Sequence, residues 1–154
     1  MPKVDLESLE QSNRTGYPAP FNEPVAGRWQ KAVGQVAGLK LLGARHTVLE
    51  PGAWSSQRHW HESEDELLVM ISGRAVLVED DGETEVGPGD ILAWPAGVRN
   101  GHHLINRSAE PCTFVCVSAG PNTGGSYSDI DMMWTAEDGF VHKDGTPYGT
   151  GPGG

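Results

Sequence analysis

The sequence predicts an all-β sandwich or barrel. Strand-length apolar segments recur every eight to twelve residues. Gly, Pro and Asp clusters punctuate them, as turns require. No strand–helix alternation runs along the chain, which argues against a parallel α/β sheet.

Taken in order, residues 1–25 are polar and Pro-punctuated, with PAPFNEP near their end, and read as an arm. Leu39 to Glu50 is an extended apolar segment, broken at Gly43 and stopped by Pro51-Gly52. Glu66 to Ile71 (ELLVMI) is a strand, and Ser72-Gly73 turns the chain into a second strand, Arg74 to Asp80. Asp80-Asp81-Gly82 is a hairpin signal leading into Glu83 to Val86. Pro88-Gly89-Asp90 turns into Ile91 to Trp94, and Pro95-Ala96-Gly97 follows. His102 to Asn106 and Cys112 to Ala119 complete the series. The domain reading is an arm and lead-in strand over 1–36, a barrel over 37–120, and a C-terminal extension over 121–154. That extension is loop-rich but carries Met132, Met133, Trp134, Phe140 and Tyr148, so it is expected to pack on the barrel or on a partner subunit. The final GTGPGG is expected to be mobile.

Composition narrows the function. At 154 residues the chain is one domain's worth, long enough to bury about two-thirds of its unfolded surface. Lys and Arg number 11 against 21 Asp and Glu, a formal net charge of −10. A nucleic-acid binder needs a basic footprint, and none is present; anionic membrane surfaces are disfavoured for the same reason. No apolar run reaches the roughly 18 residues of a membrane span. The first residues carry no apolar leader region, so the cytoplasm is the expected compartment. Cys112 and Cys116 on one strand would stand about 13 Å apart, too far for a disulfide, and read as small buried hydrophobes.

The chemistry lies in the histidines. In His59-Trp60-His61 an extended backbone points both imidazoles one way and Trp60 the other. Glu66 follows five residues after His61, and a loop over Glu62 to Asp65 lets it return beside them. Two imidazoles and a carboxylate converging form a divalent-metal arrangement. His102-His103 is the second pair; neighbours on a strand face opposite sides, so one of them can join the cluster. Three nitrogens and one oxygen suit Fe(II), Mn(II), Ni(II), Zn(II) or Cu(II), and are too nitrogen-rich for calcium or magnesium. His46 reads as a hydrogen-bonded structural residue. Trp54, Trp60 and Trp94 read as core or rim. Gln57 and Arg58 stand beside the ligands, and Tyr127 and Tyr148 are placed to close a mouth. Ser55-Ser56 lack a triad order, and no Gly-rich phosphate loop is present.

The spacing Gly52, His59-x-His61, Glu66, Gly73 resembles the first signature motif of the cupin superfamily, with the first spacer one residue longer. The second motif is also there: Gly89, five residues, Pro95-Ala96-Gly97, then the His-x-x-x-Asn interval from His102 to Asn106. The gap before His102 is two residues longer than usual. The resemblance covers about residues 38–120. It implies a double-stranded β-helix, or jelly-roll barrel, with the metal inside and His59, His61, Glu66 and His102 as ligands. His103 is the rival for the fourth position, and the interval to Asn106 selects His102. The resemblance further implies a homodimer and a small-molecule ligand. It permits a metal-dependent enzyme of dioxygenase, decarboxylase, isomerase or lyase type on a small oxygenated metabolite. A non-catalytic small-molecule or carbohydrate-binding cupin is the alternative. General acids and bases are few in the expected lining, with Tyr, Lys and a spare Glu absent from the motifs.

Overall fold

Alternating strands with one apolar face must bury that face against another layer, and this chain does so with two antiparallel walls. The computed structural model describes residues 3–149, so the tail expected to be mobile lies, from Thr150 onward, outside the described residues. The first wall is a five-stranded sheet. It is built from β1 (Arg28–Lys31), β2 (Leu42–Leu49), β9 (Cys112–Ala119), β4 (Asp65–Ser72) and β7 (Ile91–Trp94), in that spatial order. The second wall has two parts. One is β12 (Gly139–Val141), β11 (Met133–Thr135), β10 (Gly124–Tyr127) and β3 (His59–His61); the other is β6 (Gly82–Val86), β5 (Ala75–Glu79) and β8 (His103–Ile105). A single bridge between His59 and His102 joins the two parts. The result is the expected all-β jelly-roll barrel.

Register sets which side chains face inward. In the five-stranded sheet Arg45 stands opposite Cys116, and Cys116 opposite Leu68. Thr47, Phe114 and Met70 form the next row, and Ser118, Glu66 and Trp94 form a row at the open end. The inward face therefore runs from buried Leu49, Met70 and Phe114 at the closed end to polar groups at the mouth. Leu77 and Leu104 fill the core from the opposite wall.

Several local expectations need correction. The strand after Leu39 is continuous through Gly43 and begins at Leu42, because Gly43 pairs in register with Ser118 on β9. A short helix, α1 (Val33–Val36), precedes it. The loop-rich C-terminal stretch contains three strands, β10 to β12, held by pairing to β3 rather than by apolar runs of their own. Within it Met132 is fully buried in its own chain. Residues of the arm bond back to the barrel: Ser12 pairs with Gln30 on β1, and the Gln57 side chain donates to the Phe21 carbonyl at 2.9 Å. Among the described residues no helix is long and apolar enough to cross a membrane.

Asn106 gives the His-x-x-x-Asn interval a structural reason. It is fully buried and donates through Nδ2 to the carbonyls of Leu49 and Glu110, at 2.9 and 2.8 Å. Its Oδ1 accepts from the Ser108 backbone and hydroxyl. The side chain thus pins the turn before β9 to the end of β2.

Candidate metal centre

Four side chains from three parts of the barrel meet inside it. His59 and His61 come from β3, Glu66 from the start of β4, and His102 from the residue before β8. One donor atom of each lies within 4.8 Å of all the others. The alternation of β3 brings both imidazoles inward and turns Trp60 outward, where Arg99 stacks on it.

Hydrogen bonds fix which nitrogens face the centre. His59 donates from Nδ1 to the Gln57 carbonyl at 2.8 Å, and His102 from Nδ1 to the Asn100 carbonyl at 3.2 Å. A carbonyl can only accept, so both rings carry their proton on Nδ1 and turn an Nε2 lone pair inward. His61 turns Nε2 inward as well, with Nδ1 at 3.6 Å from Glu64 Oε2. The Nε2 atoms of His59 and His61 are 3.0 Å apart. Glu66 Oε2 is 2.9 Å from His61 Nε2 and 3.3 Å from His102 Nε2. Three lone pairs and a carboxylate oxygen crowded together are acceptors in search of a cation. Donors about one transition-metal ion, with bonds of about 2.0–2.2 Å, stand roughly 3–4.4 Å apart, close to this arrangement. The donor set therefore fits a divalent transition metal.

The surroundings tune these groups in opposite directions. Burial pushes the His59 imidazolium down to about 4, with Glu66 opposing and His61 and His102 assisting, so this ring is neutral at ordinary pH. Burial also works against a proton on His61. The hydrogen bond and charge of Glu66, aided by Glu64, outweigh it and raise His61 above its ordinary value. Burial opposes ionisation of Glu66, but the His102 and His61 rings against it, whenever either carries a proton on Nε2, hold it well below the usual carboxylate range. Its other oxygen, Oε1, accepts from the Cys116 thiol at 3.2 Å. The carboxylate is thereby oriented with Oε2 toward the histidines. Trp94 stacks flat on His102, with ring centroids 3.9 Å apart and planes 5° from parallel, and donates to Glu79 at 2.9 Å.

The two neighbours of the second pair separate as strand parity demands. His102 joins the cluster. His103 is equally buried but points the other way, donating to the Ser56 carbonyl at 2.9 Å and packing edge-on against Trp54. His46 lies on the outer face of β2, and its buried Nδ1 has no hydrogen-bond partner, unlike the bonded residue expected. Arg58 bonds Asp80 and Asp129, tying β3 to two loops. Tyr148 stacks on His142, outside the cavity, while Tyr127 is buried beside His59.

The cluster opens into a cavity of about 410 Å³ whose lining extends beyond the motifs. Tyr17 of the arm reaches it, resting on Tyr127 and Phe140. Burial raises the Tyr17 phenol, so it keeps its proton. Glu64 lines the cavity too, as do Arg28 and Arg45 from the inward faces of β1 and β2. A tyrosine and a spare glutamate are thus present after all. The arm delivers Tyr17 from outside the motifs, but Glu64 stands within the first motif, between His61 and Glu66, so the expectation that a spare Glu is absent is corrected. Cys116 is a cavity residue rather than a mere core filler, and its inward parity with Cys112 and Phe114 was the available signal. Both cysteines are free.

Acidification is expected to weaken metal binding, beginning at His61. A proton there competes directly with the ion, and the raised value places that competition above the ordinary imidazole range of about 6.5. Affinity should fall about tenfold per pH unit below it, and more steeply once His59 titrates near 4. Chelator-competition titrations from neutral to mildly acidic pH measure the slope. A flat profile would remove His61 from the ligand set.

Comparison with known proteins agrees with this geometry. The cupin domain family matches residues 45–118, a span holding all four cluster residues. A sugar phosphate isomerase of the cupin superfamily from Silicibacter pomeroyi is 42% identical, over 97% of this chain and 98% of its own, with a TM-score of 0.90. A candidate sugar phosphate isomerase from Acidithiobacillus ferrooxidans is 23% identical over 75% of this chain and 76% of its own, with a TM-score of 0.69. A polyketide cyclase from Streptomyces resistomycificus is 19% identical over 84% and 87%, with a TM-score of 0.68. The last two likenesses speak for the fold alone. A search of curated proteins finds no match. With the domain match spanning the site and end-to-end identity to a cupin, this chain belongs to the cupin superfamily.

Proposed function

We propose that this protein is a metal-dependent enzyme acting on a small oxygenated metabolite, and that its reaction is an isomerisation. The observation that carries it is the meeting of three inward Nε2 lone pairs and the Glu66 carboxylate at the base of an open cavity. Isomerisation is preferred among the four reaction types because the 42% identical cupin is a sugar phosphate isomerase.

His59, His61, Glu66 and His102 would hold the ion. When bound, a divalent ion supplies Lewis-acid polarisation of a carbonyl or hydroxyl oxygen. Proton movement falls to the chain's own groups. Glu64 lines the cavity with its carboxylate directed at His61 and is the group positioned to accept a proton from substrate carbon or hydroxyl. Tyr17 keeps its phenolic proton and can donate a hydrogen bond to a substrate oxygen. Its own oxygen accepts from the Gln57 backbone at 3.3 Å, which holds the ring at the mouth. Together Tyr17 and the arm narrow the opening.

Elemental analysis of protein purified without added metal is the first test, with Fe, Mn, Ni or Zn expected near one per chain. Aldose–ketose interconversion should then appear in the loaded protein, vanish on chelation and fall at least about 100-fold in Glu64→Gln. Absence of any bound transition metal overturns the proposal. A metal-loaded protein that binds metabolites without turnover overturns its catalytic half.

A further inference from the structure

The arginines of this acidic chain fall into distinct sets. Arg58, Arg74 and Arg107 each pair with a carboxylate outside the cavity, and Arg99 lies over Trp60. Arg14, Arg28 and Arg45 line the cavity, and among the described residues none of the three forms an ion pair. With 21 acidic side chains available, three guanidiniums left without a carboxylate around one cavity call for an explanation.

Their placement follows from the fold. Arg28 stands opposite Leu49 and so points into the barrel from β1. Arg45 stands opposite Cys116, the residue whose thiol bonds Glu66. Arg14 comes from the arm, three residues before Tyr17. Arg28 is the most committed. Nη1 donates to the Ser55 carbonyl at 2.8 Å and Nη2 reaches the Arg14 carbonyl at 3.5 Å. Its buried Nε has no acceptor at all. Burial disfavours its charge, and repulsion from Arg45, on the inward face of the adjacent strand, disfavours it further. A shared anion would remove that repulsion and satisfy the unpartnered donors.

We propose that Arg14, Arg28 and Arg45 form the subsite for a phosphate group at one end of the substrate, whose other end faces the His59, His61, Glu66, His102 cluster. Three guanidiniums match a dianion with three terminal oxygens better than a single-charged carboxylate. The proposal rests on the cavity being the substrate site, but not on the metal.

Inorganic phosphate is the probe, titrated calorimetrically into the protein as purified and into chelator-treated protein. Phosphate should bind at one site in both, weaken with added salt, and weaken at least about tenfold in Arg45→Gln, an exposed position that leaves the core intact. Arg28→Gln should do the same, with circular dichroism confirming the fold. Binding that disappears on chelation while Arg45→Gln binds as wild type places phosphate on the metal and overturns the proposal. So does the absence of phosphate binding at millimolar concentration, or tighter binding of acetate than of phosphate. None of these outcomes touches the metal-dependent reading, which fails instead if no transition metal is bound.

Discussion

His102→Ala should lower affinity for a divalent transition metal by more than about 100-fold, and His103→Ala by less than about tenfold. Both imidazoles are almost fully buried, at 3% and 4% exposure, so burial does not distinguish them. Direction does. His102 turns Nε2 to 3.3 Å from Glu66 and has its plane fixed by Trp94 on one face and the Asn100 carbonyl at Nδ1. His103 is held by Ser56 and Trp54 on the other side of the strand. Deleting His102 removes a coordinate bond and also leaves Trp94 unsupported. Deleting His103 leaves a cavity against Trp54 and costs stability of about 1–3 kcal/mol without touching the donor set. Competitive titration against a chromophoric chelator separates the two variants, since both lose stability but one loses metal. Equal losses would mean that both histidines matter to the centre, and a larger loss for His103→Ala would mean that the interval to Asn106 had misidentified the fourth donor.

Much of that site was legible because strand parity is a local rule. His-x-His needs only an extended backbone to put two rings on one face, and β3 supplies it. Ile91–Trp94 and Cys112–Ala119 could be bounded to the residue because apolar runs end at Pro-Gly or Ser-Ala-Gly turns. The C-terminal strands could not. GGSY, MWT and GFV are too short and too rich in glycine to alternate visibly, and they are strands because β3 offers them an edge. The chemistry beyond the four cluster residues was hidden for a related reason. Arg45 and Cys116 are 71 positions apart and meet only through the register of β2 with β9. Tyr17 and Arg14 reach the mouth only because the arm folds onto its own barrel. Cross-strand register and the path of an arm are tertiary facts, and periodicity along one strand carries no record of them.

The motif glycines Gly52 and Gly73 look equivalent in the sequence and should respond very differently to alanine. Both have positive φ, +85° and +71°, so a side chain at either costs about 1–2 kcal/mol in backbone strain. A Cβ at Gly52 would meet nothing within 4 Å. A Cβ at Gly73 would come within 2.5 Å of the Pro111 carbonyl oxygen and 2.7 Å of the Cys112 Cα. Those are backbone atoms at the start of β9, and they cannot swing away as a side-chain tip can. The pairing of β4 with β9 also shifts register between Met70 and Ser72, just before this contact. Gly52→Ala is therefore expected to lose about 1–2 kcal/mol and Gly73→Ala about 3–5 kcal/mol, the latter lowering the melting temperature by about 10 °C. Denaturant unfolding of the metal-free proteins measures both. Metal affinity of folded Gly73→Ala should stay close to wild type, because Glu66 lies seven residues away, about 23 Å along an extended strand. If the two substitutions cost the same, close approach of β9 is not what requires glycine at 73. If Gly73→Ala abolishes metal binding while leaving the fold intact, that end of β4 acts on the centre through a route the packing does not show.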